Sequence, residues 1–445
     1  MKITVDFDQT IGAIKPLHGL DNGPVCYGNL VDVTEYYKEI NTPYIRLHDT
    51  NWPHPREVDI FTIFPDFDKD EMDPNSYDFR ATDDYLATCL ATGAQIVYRL
   101  GVSIEHTPRK YHLDPPKDYK KWARICAGII RHYNKGWADG FHHGIKYWEI
   151  WNEPDIIHDK SPMWSGNDRQ YFDLYEQTAF ILKEEFPEIL IGGPVCTGGD
   201  KEYVRNFLAH VKACGAPFDF FSWHTYGTHP ERVIENAEIF DEILNEYGFT
   251  DVESQCNEYN LWIKTPEGLG SVFEKGDQRG AELYSKAIKD ERGCAFTAGV
   301  LMALQDKRCD VLTYYDGAPT SAWSCFNQHG VPQKSFEAFR AFDKVYQLNN
   351  RSQIDVEDPM RGIYVLAAGG TCENGKKKGI LLVSSFNTDN FTFEIEVKQS
   401  GNYILSGTDS VRWGEQIYQK SHAAGDVFSL TCDAYGIYMY EFCLG

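Results

Sequence analysis

Eight short apolar segments separated by amphipathic ones constrain the fold of this 445-residue chain more than any other feature. The stretch at 233–244, for example, repeats its apolar residues on one face of a helix. Eight strands alternating with helices over about 330 residues favour a closed parallel barrel over an open sheet. The fold class predicted is therefore α/β, a (β/α)8 TIM barrel. The predicted strands are 17–20, 44–48, 95–100, 147–151, 189–193, 218–224, 251–257 and 310–315, and the predicted helices are 118–133, 170–185, 202–214, 231–247, 279–304 and 335–348.

The pattern changes after Asn349-Asn350-Arg351, where short alternating runs and turns replace the helices. This pattern predicts a smaller C-terminal antiparallel β-sandwich domain. Lys2–Phe7 alternates in the same way. We therefore expect a catalytic barrel at 13–349 and an accessory β-sandwich at 350–445, joined by an N-terminal strand at 1–12.

The charge and composition of the chain limit the classes of partner that it can bind. A formal net charge of −23 and a pI near 5.0 argue against nucleic acid and anionic membranes, which attract dense basic patches. The twelve cysteines show no CxxC pair or framework spacing, which favours reduced thiols. The start, MKITVDFDQT, lacks the apolar core of a signal peptide, and no apolar run approaches the ~18 residues of a membrane span. We expect a cytoplasmic protein, and the oligomeric state, a homo-oligomer included, stays open.

Two glutamates stand where a barrel keeps its reactive groups, at the carboxyl ends of strands. Glu153 follows the fourth strand in YWEIWNEPD, whereas Glu149 lies inside that strand. Glu258 lies at the mouth end of the seventh strand, across the pore. Such a pair suits glycoside hydrolysis, in which one carboxylic acid protonates the leaving oxygen and one carboxylate attacks or activates water. The alternative for Glu153 is a helix cap.

Neighbouring strand ends supply supporting groups. His224 and Tyr226, after the sixth strand, are suited to keep Glu258 ionised and fixed. His48, after the second strand, is placed to bind sugar hydroxyls, and Arg46 to orient a carboxylate. The alternatives are that His224 is a buried core histidine and that Arg46 is a structural ion-pair partner.

Aromatic side chains at or just beyond strand ends offer faces for stacking on sugars. No HExxH motif, carboxylate-histidine spacing or GxGxxG context occurs, so neither a metal nor a cofactor is expected. The candidate stacking residues are Trp52, Trp151, Trp223, Trp262, Tyr315 and Trp323.

In these residues the chain resembles glycoside hydrolase family 39. The resemblance spans essentially the whole barrel and extends to the β-rich C-terminal domain. It is carried by EIWNEPD around Glu153, DFFSWHTY around His224, CNEYN around Glu258, YIRLHD around His48, PPKDYKKW at 115–122, IGGPVCTGG at 191–199 and GVPQKSFEAF after the eighth strand.

The resemblance implies a retaining mechanism on an oligosaccharide substrate. Glu153 would be the acid/base, Glu258 the nucleophile, and Asn152 the partner of the sugar 2-hydroxyl. The two carboxyls would then lie about 5–5.5 Å apart. The expected activity is that of a β-xylosidase-like exo-glycosidase acting on short oligosaccharides.

Other specificities remain open, namely α-L-arabinosidase, α-L-iduronidase, β-glucosidase or β-galactosidase, and so does a catalytically silent sugar-binding protein. Three departures around the sugar bear on this choice. Trp223 stands where the family's xylosidases typically carry arginine, Arg99 where they tend to carry an acid, and Tyr314-Tyr315-Asp316-Gly317 where they carry a tryptophan-threonine pattern. Arg99 has two interpretations, as a contact for a uronate carboxylate or as a structural ion-pair partner.

Overall fold

A computed structural model of the chain describes residues 1–26, 30–50, 56–103, 111–156, 163–263, 277–319, 321–371, 375–387, 389–398 and 401–444. Its largest unit is a closed barrel of eight parallel strands, so the predicted (β/α)8 barrel is confirmed. The strands follow one another around the barrel in chain order, and pairing of the last with the first closes it. They are β2 (Gly19–Asp21), β5 (Tyr44–Leu47), β6 (Gln95–Leu100), β7 (Tyr147–Ile150), β8 (Leu190–Cys196), β9 (Phe220–Gly227), β10 (Glu253–Leu261) and β11 (Val311–Tyr314). A two-stranded ribbon, β3 (Val25–Cys26) and β4 (Val31–Asp32), follows the first barrel strand.

Helices surround the barrel, and most lie where the sequence predicts them. The predicted helix at 279–304 is two helices, because Asp290 ends the first and its side chain accepts the Arg292 N–H as the N-cap of the second. Three shorter helices, α1 to α3, were not predicted. The described helices are α1 (Thr34–Glu39), α2 (Ile60–Ile63), α3 (Arg80–Leu90), α4 (Tyr119–Lys135), α5 (Asp168–Glu185), α6 (Lys201–Cys214), α7 (Glu231–Glu246), α8 (Gln278–Lys289), α9 (Glu291–Ala303) and α10 (Lys334–Leu348).

Alternation along the barrel strands separates an apolar outer layer from a polar interior. In β5, Ile45 and Leu47 join the hydrophobic core, whereas Arg46 between them bonds to acidic side chains of other strands. All three residues are fully buried. Because a charge buried in this way needs a partner, the barrel interior is a network of ion pairs.

The second domain is a nine-stranded sheet with mixed strand directions. The N-terminal strand β1 (Lys2–Ala13) lies inside this sheet, antiparallel to β12 and parallel to β15, which is the one parallel pair among its described strands. Side chains on one face form a core that includes Val5, and rings from opposite ends of the chain meet there, with Phe7 and Phe442 at 5.0 Å between centroids. The remaining strands are β12 (Asn350–Glu357), β13 (Ile363–Thr371), β14 (Lys377–Phe386), β15 (Phe391–Val397), β16 (Tyr403–Asp409), β17 (Glu415–His422), β18 (Val427–Cys432) and β19 (Tyr435–Leu444).

Helix α9 connects the two units. Every residue from Gly293 to Met302 is buried, and the Ser384 hydroxyl of β14 donates to the Ala295 carbonyl across 3.2 Å. A helix that is apolar on all sides must be covered on all sides, and here the barrel and the sheet cover it. Within the described residues no helix is long and apolar enough to cross a membrane, and the eleven cysteines found there are free thiols.

Candidate active site

Glu153 lies just beyond β7, in a tight turn of the backbone. Both Trp151 and Glu153 have positive φ angles, 74° and 44°, which residues with a side chain adopt only when the surroundings hold them there. The Glu153 backbone N–H donates to the Val195 carbonyl at 2.8 Å, which ties this turn to the neighbouring strand β8. The turn brings the carboxylate to His224 of β9, inside the mouth of the barrel.

Glu258 reaches the same point from β10 because of a bulge in that strand. Cys256 pairs with Trp223 and Glu258 pairs with His224, so Asn257 is an extra residue between two consecutive pairs. The bulge allows adjacent side chains to face inward together. Asn257 bonds to Glu149 deeper in the barrel, and Glu258 remains near the mouth.

The two carboxylates converge on one imidazole. Nδ1 of His224 lies 2.7 Å from Oε1 of Glu153 and 3.1 Å from Oε2 of Glu258. One oxygen of each carboxylate and one ring nitrogen of His224 all lie within 4.8 Å of one another. The two carboxyl groups are thus adjacent.

The surroundings push the pKa values of the two acids in opposite directions. Burial raises the pKa of Glu153, and the nearby charge of Glu258 adds to the rise against the opposing effect of His224. Burial also acts to raise the pKa of Glu258, but His224, Arg46 and the Tyr226 hydroxyl outweigh it and lower that pKa. Burial lowers the pKa of His224, yet the two carboxylates raise it to about 10, so this imidazole carries a proton at neutral pH.

Arg46 organises the floor of the site. Its Nη1 lies 3.2 Å from Oε1 of Glu258 and 3.2 Å from Asp21, and its Nε donates to Glu149 at 2.8 Å. Its Nη2 donates to Oδ1 of Asn152 at 2.7 Å. Since arginine can only donate, the Asn152 oxygen faces Arg46, and its buried amide nitrogen has no hydrogen-bond partner among the described residues.

A second set of side chains lies beside Glu258. Nε2 of His48 is 3.3 Å from Oδ1 of Asp49 and 3.9 Å from Oε1 of Glu258. The Tyr315 hydroxyl donates to Oδ2 of Asp49 at 2.8 Å. Burial raises the pKa of Asp49 well above its usual range.

Aromatic rings form one wall of the site. The Tyr226 ring lies 6.1 Å from that of Trp262 and 6.0 Å from that of Trp323, and Tyr315 lies 6.4 Å from Trp323. The structure thus brings three of the predicted stacking residues to one side of Glu258. Trp52 lies outside the described residues.

Two of the predicted stacking residues point away from the site. Trp223 precedes the inward-facing His224, so it points outward, where its indole N–H donates to Ser254 and its ring packs 5.1 Å from Phe240. Regular strand alternation would place Trp151 on the same face as Glu149, two residues earlier. The positive φ instead turns it outward, where its ring packs 5.0 Å from that of Trp164. Neither residue contacts the carboxylate pair, and we no longer assign Trp223 to the substrate.

Several buried polar residues of the site were not predicted. Asp21 and Asn257 bond to the Arg46–Glu149 pair, and Asp316, whose pKa burial raises to about 7, accepts from Asn22 at 3.0 Å. The available signal was positional, since Asp21, Asp49 and Asp316 each end or follow a barrel strand. Asp59 precedes a four-residue helix and had no such signal.

Among the residues that the structure describes, two groups of side chains have the donor atoms that a metal needs. One is the carboxylate pair with His224, and the other is Glu176, His210 and Cys214 at the surface of helices α5 and α6. In the first group, the Arg46 guanidinium and the protonated His224 already neutralise Glu258. A metal cation there would meet two positive charges, so we assign none to the active site.

The sequence of most of the barrel matches a known protein family. Residues 2–257 match the family model Glycosyl hydrolases family 39. The chain belongs to glycosyl hydrolases family 39. The predicted resemblance is confirmed, and Glu153 falls inside the matched region, whereas Glu258 follows its last residue.

Curated relatives of this family 39 chain include two β-xylosidases. The protein from Geobacillus stearothermophilus is 27% identical over 197 residues, which are 40% of this chain and 36% of that protein. The protein from Caldicellulosiruptor saccharolyticus is 22% identical over 345 residues, which are 74% of this chain and 63% of that protein. The chain therefore covers less than two thirds of the length of either relative.

Solved structures share the fold along the whole family 39 chain. A glucosidase from Croceicoccus marinus has a TM-score of 0.77 at 22% identity, with 100% of this chain and 99% of that one covered. A monomeric β-xylosidase from Caulobacter crescentus CB15 has a TM-score of 0.73 at 17% identity, with 99% of both chains covered. At these identities the likeness shows a common architecture of barrel and β domain.

Proposed function

We propose that this protein is a retaining glycoside hydrolase in which Glu153 is the acid/base and Glu258 the nucleophile. The observation that carries the proposal is the carboxylate pair itself, in which one oxygen of each group lies within 4.8 Å of one oxygen of the other, with pKa values shifted in opposite directions. Retaining glycosidases place their carboxyls about 5–5.5 Å apart, whereas inverting enzymes need about 6.5–9.5 Å to admit a water. The close spacing therefore supports double displacement.

In the first step Glu153, whose raised pKa favours the protonated form, gives its proton to the glycosidic oxygen. Glu258, ionised because its pKa is lowered, attacks the anomeric carbon as the bond to that oxygen breaks. The product alcohol leaves, and the sugar stays attached to Glu258 as an ester. Arg46 and Tyr226 fix the attacking carboxylate by bonding to its two oxygens.

In the second step the acid becomes a base. Esterification removes the negative charge of Glu258, which removes one cause of the raised pKa of Glu153. Glu153 then takes a proton from water as that water attacks the anomeric carbon, and Glu258 is released as a carboxylate. His224 contacts both acids, so its positive charge moderates the pKa values of both through the cycle.

Asn152 is the proposed partner of the sugar 2-hydroxyl. Arg46 fixes its amide so that the nitrogen is available to a ligand beside the carboxylate pair. A hydrogen bond at this position strengthens as positive charge develops on the sugar ring.

The proposed substrate is a neutral glycoside at the end of a short oligosaccharide, with β-xylosides first. Both curated relatives are named β-xylosidases. The two guanidiniums deep in the described barrel are already paired with acids, Arg46 with Glu149 and Arg99 with Asp59 at 2.6 Å. An α-L-iduronide would bring its carboxylate into these surroundings, so an iduronidase is the weaker alternative, whereas arabinosidase, glucosidase and galactosidase activities stay compatible.

A fluorinated mechanism-based sugar tests the proposal directly. Incubation with 2-fluoro-xylosyl fluoride should add one sugar to the protein, and peptide mapping should place it on Glu258. A panel of nitrophenyl glycosides then ranks the sugars, and proton NMR of the first product should show a retained anomeric configuration. Inversion would overturn the mechanism, and unchanged turnover in Glu258→Gln would overturn the assignment and leave a sugar-binding protein.

A further inference from the structure

Arg99 holds a rigid position in the barrel wall behind the site. It is fully buried on β6, and its Nη2 donates to Asp59 at 2.6 Å, to the His48 carbonyl at 2.8 Å and to the Ser103 hydroxyl at 3.2 Å. The Ser103 backbone N–H donates to the other Asp59 oxygen at 3.0 Å. The guanidinium is therefore fixed from several sides and has little freedom to turn.

The same guanidinium determines where His48 carries its proton. Nε of Arg99 donates to Nδ1 of His48 at 3.3 Å. Arginine has donors only, so Nδ1 must present its lone pair, and the ring proton must be on Nε2. A second proton on Nδ1 would bring two N–H groups together beside a fixed positive charge. His48 is thus neutral in this arrangement.

The proton-bearing Nε2 faces the acidic side of the site. Oδ1 of Asp49 lies at 3.3 Å and Oε1 of Glu258 at 3.9 Å, and the Tyr315 ring lies 6.4 Å from the His48 ring. The charged or titratable groups around His48 in the described structure are therefore Arg99 on one side and Asp49, Glu258 and Tyr315 on the other. Acids beside an imidazole normally favour its protonation. Arg99 therefore opposes the protonation of His48 that Asp49 and Glu258 would otherwise favour.

We propose that Arg99 is a positioning residue that locks His48 as the neutral Nε2–H tautomer, a donor beside the nucleophile that adds no positive charge to it. Glu258 already has two cationic neighbours, Arg46 and His224. A third charge would stabilise the free carboxylate further and make it a poorer nucleophile. This inference uses the proposed function only to state the kinetic consequence, because the tautomer itself can be measured without substrate.

Nitrogen NMR of protein labelled with ¹⁵N-histidine measures the tautomer directly. The chain has 14 histidines, and the His48 signal is the one lost in His48→Gln. We expect the wild-type signal to show a protonated Nε2 and an unprotonated Nδ1 throughout about pH 5 to 8, the range in which histidine normally titrates. A proton on Nδ1, or an imidazolium at neutral pH, would overturn the inference.

A double variant, Arg99→Met with Asp59→Asn, removes the lock without leaving Asp59 charged and unpaired. We expect His48 to gain a titration within that pH range, the pH profile of kcat/KM to gain an ionisation, and kcat/KM to fall roughly tenfold or more. An unchanged tautomer in the folded variant would contradict the proposal. If the variant does not fold, the wild-type spectrum alone decides.

Arg169→Met is the matched control. Arg169 also faces a histidine, with its Nη1 3.2 Å from Nδ1 of His210, but on the protein surface, where 69% of its side chain is exposed. We expect kcat/KM to be unchanged in this variant. Failure of the sugar to label Glu258 would overturn the proposed function and leave the His48 spectrum unaffected, so the two hypotheses fail separately.

Discussion

The Tyr226 hydroxyl donates to Oε2 of Glu258 across 2.9 Å, while Arg46 lies 3.2 Å from the other oxygen of the same carboxylate. Each oxygen of the proposed nucleophile thus has its own donor. A carboxylate held in this way is ionised, oriented and unable to rotate freely, which are the properties that attack on an anomeric carbon needs.

Tyr226→Phe should move the acid limb of the kcat/KM profile to higher pH. The hydroxyl helps to lower the pKa of Glu258, so its loss raises that pKa, and the nucleophile is then protonated at a higher pH. The measurement is kcat/KM against pH. Tyr284→Phe removes a hydroxyl that donates to the Leu261 carbonyl instead, and it should leave the profile in place. An acid limb unchanged in Tyr226→Phe would contradict this role.

His224→Gln should move both limbs to higher pH. The imidazolium lowers the pKa of Glu153 and of Glu258, so losing its charge raises both. Activity requires Glu258 ionised and Glu153 protonated, hence the acid limb and the alkaline limb rise together. Comparison with Tyr226→Phe separates the two residues, because only the histidine contacts both acids. An alkaline limb that moves down would exclude the proposed role.

Glu153→Ala should affect substrates according to their leaving groups. Turnover of a xyloside with a poor leaving group should fall roughly 100-fold or more, because protonation of the departing oxygen is lost, while a dinitrophenyl glycoside should still form the glycosyl-enzyme. Azide should restore turnover of the activated substrate and yield a glycosyl azide of retained configuration. Equal losses on both substrates, without azide rescue, would argue against Glu153 as acid/base.

Arg46→Met should destabilise the protein as well as inactivate it. The guanidinium is fully buried against Asp21, Glu149 and Glu258, and removing one partner of a buried ion pair costs about 3–5 kcal/mol. Urea unfolding should show a smaller loss at acidic pH, since the carboxylates can then be neutral. Adding Glu149→Gln should recover part of the stability but not the activity. If Arg46→Met were as stable as wild type, the network would not have the structural role proposed here.

Val5→Asp tests the N-terminal strand. Val5 is fully buried in the core of the accessory sheet, so an unpaired carboxylate there should lower the free energy of unfolding by several kcal/mol. Asp8→Ala, in the same strand but exposed and paired with Lys377, should change it little. Thermal unfolding of both variants makes the comparison. Equal melting temperatures would show that the strand does not support the sheet.

Strand order explains which site residues the sequence predicted, and the local geometry of the strands explains which it missed. Glu153 and Glu258 follow from the rule that barrel chemistry lies at the carboxyl ends of strands, which needs only the number and order of the strands. The outward orientation of Trp223 follows by alternation once His224 points inward. The inward orientation of both Asn257 and Glu258 needed a bulge, which leaves no clear mark in a single sequence.

Contacts between distant segments were harder to predict. Arg99 and Asp59 are 40 residues apart, and nothing local to either residue indicates the other. The composition of Arg99-Leu100-Gly101 allowed both a uronate contact and an ion pair, and only the folded barrel brings Asp59, from the start of a very short helix, to the guanidinium. Such pairs are decided by tertiary packing.

The place of β1 between β12 and β15 also has a consequence for how the protein is made. Residues 2–13 leave the ribosome before any part of the barrel, yet their hydrogen-bonding partners are made only after residue 349. During synthesis more than 300 residues are therefore added before this strand can form its native pairs. Closure of that sheet is a late event, one that joins β1 to strands made only after the whole barrel.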